Sequence, residues 1–300
     1  MIQWRPIEAL AMVSLVACGG SKDWNDTAAE DVELTRKVIF VGIDGLRGDG
    51  IPGSETPNMD RLTEGGTWTI GASTQLQAQT VSGPGWTSML TGVDSNKHGI
   101  TENGGWEQID RTYPTLIGRA HDVGLSTVTA INWLPIQLMI IERDVTDEVI
   151  AGDDEAITGG MVEVLEDGDF DVHFVALDDV DHAGHSTGFS LENPDYVNAI
   201  ETADARLGQL LSAIEARPTR SGEDWMVLIT SDHGGSGTSH GALDADCRTI
   251  PLIVWGDSVR ADELAPGVGS HLDIHPTLMA HMGHPAQPDW SLDGEARGQE

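Results

Sequence analysis

Basic residues are scarce in this sequence. Its 300 residues contain 16 lysines and arginines against 49 aspartates and glutamates, which gives a formal net charge of −33. A surface this acidic repels the phosphate backbone of DNA and RNA, so we do not expect the protein to bind nucleic-acid polymers. The charge suits a protein kept soluble in salty surroundings, where self-repulsion is screened, although an ordinary solvated surface is the simpler interpretation.

Cysteine and long apolar runs are also rare. Cysteine occurs only at Cys18 and Cys247. The apolar run 9–17 is too short to span a bilayer; it follows Arg5 and ends in Leu-Val-Ala before Cys18, which resembles the bacterial lipobox. In a lipobox the signal is cut before a cysteine that then carries lipid, so Cys247 would have no partner for an intrachain disulfide. A plain N-terminal helix would have a similar apolar pattern.

The lipobox interpretation divides the chain into three parts. We expect residues 1–18 to be a lipoprotein-type signal peptide, residues 19–36 a polar tether and residues 37–300 a single domain. The protein would then be exported and anchored to a membrane through lipidated Cys18, on the periplasmic side or at the cell surface. The oligomeric state is left open.

Short apolar runs alternate with helical patterns along the rest of the chain. The apolar runs, which are typical of strands buried on both faces, are 38–43, 126–133, 172–177, 226–230 and 250–255. The clearest helical pattern covers 194–216, where Asn193 and Pro194 are suited to begin a helix. This alternation predicts an α/β fold with a doubly wound, mostly parallel central sheet flanked by helices.

Polar residues follow three of these predicted strands. The first strand runs into Asp44, the third into the acidic and histidine-bearing turn 178–185, and the fourth into Asp232-His233. Ligand sites of open α/β sheets lie outside the carboxyl ends of the strands, so the three clusters can converge on one place.

Two of the clusters have the residue types of a metal centre. Asp181 and His185 are four residues apart, so one helical turn can direct both at one cation, although a solvated helix start has the same pattern. Asp232 and His233 precede a glycine-rich loop that returns His240 to their vicinity. Glycine-rich polar turns are common, but this density of potential ligands after a buried strand favours a metal.

Ser82 is the candidate nucleophile. Pro84 is suited to the first turn of a helix, which places Ser82 at or just before the helix N-terminus. Free N–H groups at such a terminus can bind a phosphoryl oxygen. Most serines at this position are only helix caps, so a catalytic role for Ser82 depends on a nearby metal.

Together these segments resemble the alkaline phosphatase superfamily, in particular its nucleotide pyrophosphatase/phosphodiesterase-like branch, from Lys37 to about Pro285. The resemblance is carried by the following segments: Ile43-Asp44-Gly45, Thr56 to Leu62, Gln79 to Gly92, Lys97 to Ile100, the Asp181/His185 pair, Ser231 to Gly234, and His240-Gly241. It implies a hydrolase with two divalent metal ions, expected to be zinc, acting on a small phosphate ester through a phosphoserine.

The resemblance also implies roles for individual residues. The nucleophile of such families stands two residues before a proline, which selects Ser82 rather than Thr80. One metal is expected on Asp44, Asp232, His233 and the Ser82 oxygen, and the other on Asp181, His185 and His240. Asn103 would place its amide on a phosphate oxygen. His271 is the reserve candidate should His240 not reach the metal.

The sequence departs from the family at positions that bear on the choice of substrate. Many nucleotide-cleaving members have an aromatic residue directly after the nucleophile, where this sequence has Gly83; Trp86, Trp106 or Trp133 could replace it, though core packing is their more ordinary role. No lysine–arginine pair typical of some monoesterases is recognisable, and the sulfatase turn is incomplete. Diester or pyrophosphate cleavage is therefore slightly favoured over monoester cleavage. The same residues would also suit a headgroup phosphotransferase, and the acidic charge and lipobox would suit a non-catalytic cation-binding lipoprotein.

Overall fold

Eight strands form one sheet in residues 34–299, the part of the chain that the computed structural model describes. The spatial order of the strands is β4-β3-β5-β1-β6-β7-β2-β8. Their bounds are Thr35–Ile43 (β1), Thr67–Ser73 (β2), Thr127–Ile131 (β3), Glu148–Ala151 (β4), Val172–Leu177 (β5), Glu223–Thr230 (β6), Thr249–Gly256 (β7) and Asp262–Glu263 (β8).

The sheet is mostly parallel, as predicted. Strands β4, β3, β5, β1 and β6 are parallel neighbours, whereas β7 runs antiparallel to both β6 and β2. After β1 the chain crosses to β2 near one edge, and it later returns to β3 on the other side of β5. This reversal of direction around β1 is the arrangement that opens a crevice at the carboxyl ends of the central strands.

Side chains of β1 alternate between two apolar cores. Ile39, Val41 and Ile43 pack into one core, while Val38 and Phe40 pack into the other. Successive residues of a strand point to opposite faces, so the sheet is covered on both sides and its central strands are apolar at nearly every position. The doubly wound prediction is confirmed.

Nine α-helices lie in the described residues. They are Pro57–Gly65 (α1), Ser82–Thr91 (α2), Ser95–His98 (α3), Leu116–Asp122 (α4), Asp154–Asp167 (α5), Asp179–Thr187 (α6), Pro194–Ala216 (α7), Ala245–Arg248 (α8) and Ile274–His281 (α9). Helix α7 has the predicted bounds, and the side chain of Asn193 caps it by accepting a hydrogen bond from the N–H of Asp195. None of the helices in this part of the chain is long and apolar enough to cross a membrane.

Strand β1 begins two residues before the predicted start of the domain. The predicted boundary at Lys37 lies inside β1, because Thr35 and Arg36 already pair with Glu223 and Asp224 of β6. Strand pairing uses the backbone and does not require apolar side chains, so the apolar run 38–43 marks only the later part of the strand. The predicted signal peptide with Cys18, and residues 19–33 of the predicted tether, lie outside the described residues.

Candidate active site

Three neighbouring strands deliver the polar residues to one edge of the sheet. Strand β1 ends before Asp44, β5 before Asp178, and β6 before the Ser231-Asp232-His233 segment. The sheet order places β1 between β5 and β6, so these strand ends are adjacent. Gly45 has φ +72°, and a Cβ on it would lie 2.8 Å from the Cα of Asp181, so the close approach of helix α6 to the end of β1 requires glycine.

The first cluster surrounds Nε2 of His233. This nitrogen lies 3.5 Å from Asp44 Oδ1, 3.4 Å from Asp232 Oδ2 and 3.4 Å from the Ser82 hydroxyl. All four residues are buried. The structure therefore brings the nucleophile candidate and the three predicted ligands of one metal to one point.

The second cluster surrounds Nε2 of His240. This nitrogen lies 3.0 Å from Nε2 of His185 and 3.7 Å from Asp181 Oδ1, and His185 lies 3.3 Å from the other oxygen of Asp181. The rings of His233 and His240 stack with centroids 3.9 Å apart, so the two clusters are adjacent. The predicted ligands of the second metal are thus together as well.

The outward ring nitrogens fix the tautomers of the three histidines. Nδ1 of His185, His233 and His240 lies within 3.0 Å of the carbonyl oxygens of Thr238, Gly234 and Thr80, respectively. A carbonyl only accepts, so each Nδ1 carries the proton and each Nε2 keeps its lone pair. Two bare Nε2 atoms 3.0 Å apart repel each other unless a cation lies between them. Carbonyl oxygens that orient imidazoles in this way are typical around metal ligands.

Unpaired carboxylate oxygens also indicate a cation site. Oδ1 of Asp44, Oδ1 of Asp181 and Oδ2 of Asp232 are buried and have no hydrogen-bond partner among the described residues. One ligand atom each from Asp44, Asp232 and His233 lie within 4.8 Å of one another, as do one each from Asp181, His233 and His240. Buried oxygens without partners are costly unless something pairs with them, and a divalent cation is the chemical match for these Asp and His donors.

The pKa values of the site show what its charge would cost without a cation. Burial raises the pKa of Asp44 to about 6, and burial with the charges of Asp44 and Asp178 raises that of Asp181 to about 9. Burial followed by the charge of Asp44 raises the pKa of Asp232 well above its ordinary value. Burial lowers the pKa of His233 and of His240 to about 3. The short distances from His233 and His240 to carboxylates are therefore not ion pairs at neutral pH, because these two imidazoles are uncharged.

Helix α2 presents Ser82 from its first position. Gly85, one turn further on, permits this approach, because a Cβ there would lie 2.8 Å from Cβ of Asp232. Asn103, exposed on a neighbouring loop, accepts a hydrogen bond of 2.6 Å from the N–H of Gly83 with its side-chain oxygen. That bond leaves the amide nitrogen of Asn103 available beside the nucleophile, and its contact with a phosphate oxygen stays a prediction.

Two residues at the site have contacts that the sequence did not reveal. Trp86 donates a hydrogen bond of 3.0 Å from its indole N–H to Asp44 Oδ2, in addition to packing in the core. Asp178 has a ligand atom within 4.8 Å of those of Asp44 and Asp181. Its position directly after a buried strand, like that of Asp44, was the available signal. His271 instead accepts the N–H of Gln75, and His240 occupies the position for which His271 was the reserve.

Fold and site together define a member of the alkaline phosphatase superfamily. The sequence profile described as type I phosphodiesterase / nucleotide pyrophosphatase matches residues 38–249. Because the match covers well over half of the chain, the chain belongs to this family of hydrolase-like enzymes.

Similar proteins agree with this assignment. Murine ectonucleotide pyrophosphatase/phosphodiesterase 5, solved as an inactive variant with AMP, superposes with a TM-score of 0.70 at 13% identity, covering 84% of this chain and 96% of that one. The catalytic subunit of human GPI ethanolamine phosphate transferase 2 is 25% identical over 91% of this chain and 28% of its own length. A 2,3-bisphosphoglycerate-independent phosphoglycerate mutase of Cellvibrio japonicus is 32% identical over 43% of this chain and 24% of its own. The chain thus spans about a quarter of the length of these two curated relatives.

Proposed function

We propose that the protein hydrolyses small phosphodiesters with two divalent metal ions and a phosphoserine formed on Ser82. The observation that carries this proposal is the convergence on Nε2 of His233, which lies within 3.5 Å of the Ser82 hydroxyl and of two unpaired carboxylate oxygens. A serine that is only a helix cap would not require such surroundings.

The residues divide into two ligand sets. Asp44, Asp232 and His233 would hold one ion with the Ser82 oxygen, and Asp181, His185 and His240 would hold the other, zinc being the metal that this donor set favours. Bound dications supply positive charge. This charge stabilises an alkoxide at neutral pH, and it also stabilises the negative charge that spreads over a transferring phosphoryl group.

The chain's own groups carry the bond changes. Ser82 Oγ gives up its proton to solvent and attacks phosphorus, and the bond from phosphorus to one ester oxygen breaks, so that the leaving alcohol takes a proton from water. Water then adds to phosphorus and breaks the bond to Ser82 Oγ, which regains a proton. The balance is one diester and one water giving one monoester and one alcohol. The N–H groups at the start of α2 are mostly occupied within the protein, since that of Gly83 donates to Asn103, Pro84 has none and that of Gly85 donates to the carbonyl of Val81.

Substitution of the nucleophile tests the role of Ser82. We expect Ser82→Ala to lose at least about a thousandfold in kcat for bis-p-nitrophenyl phosphate, because the covalent step disappears. Zinc content should stay nearly unchanged, since the aspartates and histidines remain. Ser212→Ala, an exposed serine on α7, is the matched control. A fully active Ser82→Ala protein would refute the proposal.

The choice between diester and monoester needs a separate comparison. We expect bis-p-nitrophenyl phosphate to be cleaved faster than p-nitrophenyl phosphate, and a chelator to abolish both activities. The reverse preference would make the protein a monoesterase. Absence of both activities in zinc-loaded protein would favour a non-catalytic cation-binding role.

Transfer of a phosphate-linked headgroup is the second candidate. It is favoured by the similarity to the human GPI ethanolamine phosphate transferase subunit, which extends over 91% of this chain. A transferase would pass the phosphoryl group from Ser82 to an alcohol instead of water. Added ethanol or glycerol should then divert product into a new diester, detectable by phosphorus NMR, whereas a hydrolase would yield monoester only.

We further propose that the single domain that begins with β1 is exported and anchored through Cys18. The support is the lipobox-like sequence Leu15 to Cys18. Expression with labelled palmitate should label the wild-type protein and leave Cys18→Ser unlabelled and unanchored. Labelling of neither protein would contradict the lipoprotein assignment.

A further inference from the structure

An apolar groove begins beside the nucleophile. A methyl group placed on Gly83 would lie 3.0 Å from Cη2 of Trp106, so this ring is in contact with the residue that follows Ser82. From Trp106 the groove continues along Leu138, Met139 and Ile141 and has a volume of about 480 Å³; its lining also includes the charged side chains Glu107, Arg111, Glu142 and Arg143. We call this depression, after its four apolar side chains, the apolar groove.

The walls of the apolar groove are held in place by the protein. The ring of Trp106 packs edge-to-face on Trp133, with centroids 6.0 Å apart. Ile136–Ile140 forms a π-helical turn, closed by a bond from the N–H of Ile141 to the carbonyl of Ile136. Arg111 donates hydrogen bonds to the carbonyls of Met139 and Ile140 and so fixes the far wall. Single π-turns are frequent at functional sites.

The surface that the groove offers is mainly hydrocarbon. Leu138 is 59% exposed and Met139 42% exposed, although the protein surface is otherwise strongly acidic. Two of the four charged lining side chains bind the protein itself: Arg111 binds the two carbonyls, and Glu142 accepts hydrogen bonds from the N–H and hydroxyl of Thr115. Glu107 and Arg143 are the polar side chains of this lining that are left to recognise the hydrogen-bonding edge of a nucleobase. A hydrocarbon chain needs no such partners.

We propose that the apolar groove binds the hydrocarbon chain of an amphiphilic phosphodiester while its phosphate lies at Ser82. This inference rests on the proposed diesterase function and names its substrate class. Exposed Arg143 lines the groove and forms no ion pair with another described residue, which suits an amphiphile with a further anionic group. Gly83 is part of the arrangement, because a side chain there would collide with Trp106 and with Asn103, whose side-chain oxygen would lie 2.9 Å from the added carbon.

The length of the chain is the variable that tests the proposal. We would compare methyl, butyl and octyl p-nitrophenyl phosphodiesters on the zinc-loaded protein, below their aggregation concentrations. We expect kcat/KM to rise about twofold for each added methylene, which is about half of the free energy of burying a CH₂ fully. A rate independent of chain length would overturn the proposal.

Substitutions test whether the dependence on chain length arises in the apolar groove. The double variant Leu138→Ser, Met139→Ser should flatten the dependence on chain length. Leu243→Ser is the matched control, because Leu243 is 65% exposed and lies in a separate depression with Leu76. Equal flattening by Leu243→Ser would overturn the assignment to the apolar groove. A p-nitrophenyl ester of thymidine 5′-phosphate cleaved faster than the octyl diester would show a nucleobase site instead.

Binding measured without turnover separates this proposal from the proposed function. Octyl phosphate and methyl phosphate can be titrated into zinc-loaded Ser82→Ala by tryptophan fluorescence. Tighter binding of octyl phosphate that requires Leu138 and Met139 would support the groove even if no diester were cleaved. Cleavage of diesters together with equal binding of the two phosphates would retain the proposed function and reject the groove.

Discussion

Trp86 connects the core to the site through a single atom. Its ring is buried against Phe174, and its indole N–H donates to Asp44 Oδ2 at 3.0 Å, which leaves Oδ1 facing His233. Such a bond favours the charged carboxylate and holds its orientation, as outer hydrogen bonds do around metal ligands. The sequence predicted a tryptophan in the core, but the polar contact depends on how α2 packs over β1.

Replacement of Trp86 isolates that hydrogen bond. We expect Trp86→Phe to weaken zinc binding by about tenfold, since the carboxylate of Asp44 loses its donor while most of the packing is kept. Competition with a chromophoric chelator measures the affinity. Trp225→Phe is the control, because Trp225 is equally buried and donates at 2.7 Å to Glu223, which is not among the candidate ligands. Equal zinc affinities in wild type and Trp86→Phe would contradict this role.

Metal removal should make stability depend on pH in a defined direction. Without a cation the pKa of Asp178 is raised to about 7 and that of Asp181 to about 9, so the folded state holds protons that the unfolded state releases. The free energy of unfolding then falls as pH rises toward 9, by up to about 1.4 kcal/mol per pH unit while Asp181 keeps its proton; Asp178 loses its proton around pH 7. The buried histidines have lowered pKa values and oppose this fall only while their imidazoles in the unfolded state, with a pKa of about 6.5, are still partly protonated, so the fall is clearest between pH 8 and pH 9.

Thermal unfolding of chelated protein between pH 8 and pH 9 measures this slope. Zinc-loaded protein should lose much less stability, since the ions replace the protons. Asp181→Asn should reduce the slope of the chelated protein, because it removes the carboxyl group whose pKa is raised to about 9. A chelated wild type whose melting temperature is constant over this range would contradict the prediction.

At the scale of elements, the start of α6 is fixed by a carboxylate from another helix. Asp154, the first residue of α5, is buried, and its two oxygens accept the N–H groups of Asp178 and Asp179 at 2.9 to 3.1 Å. Asn132, which follows β3, donates to the same carboxylate at 2.8 Å. Since α6 carries Asp181 and His185, Asp154 is a positioning residue for the second ligand set.

Asp154→Asn should therefore disturb metal binding from a distance. The asparagine amide would place its own N–H against the N–H groups of Asp178 and Asp179 and the amide of Asn132, all of which are donors. We therefore expect α6 to shift and zinc affinity to fall by about tenfold, with activity restored by excess zinc. Asp153→Asn is the control, because exposed Asp153 only caps α5 and asparagine caps equally well. If Asp154→Asn lowered stability without changing zinc affinity, its role would be structural only.

The elements that the sequence could and could not predict differ in their environment. Strand β5 and helix α7 match the predictions because their patterns reflect full burial and a strong cap. Strand β2 was missed because Gly71 and a register shift between Thr69 and Ala72 interrupt its pattern. Strand β4 has four residues, most of them exposed, so no apolar run marks it.

The site residues, like the strands and helices, could be predicted only where a local sequence pattern marks them. Residues that directly follow strands, such as Asp44 and Asp232, could be selected because strand ends meet at one edge of a sheet. Asp154 and Trp86 contact the site only through packing between distant segments, which no local pattern encodes. The substrate preference is of the latter kind, because Gly83 and Trp106 meet only in the folded chain.

At the scale of the whole molecule, the net charge of −33 opposes compactness. Such repulsion acts over the screening length, which falls from about 10 Å at 0.1 M salt to about 3 Å at 1 M. The protein has 16 basic residues with which to form surface ion pairs, so salt has few attractions to weaken and many repulsions to relieve. The acidic composition therefore predicts a protein that salt stabilises.

We expect the melting temperature of zinc-loaded protein to rise between 0.05 M and 1 M sodium chloride. A gain of about 2 kcal/mol would correspond to roughly 4–8 °C for a domain of this size. The double variant Glu166→Gln, Asp167→Asn tests the cause, because both residues are exposed at the C-terminal end of α5, where negative charge also opposes the helix dipole. This variant should be more stable than wild type at low salt and lose that advantage at 1 M. A melting temperature that falls with salt would mean that ion pairs such as Lys97–Asp293 and Arg220–Asp257 outweigh the repulsion.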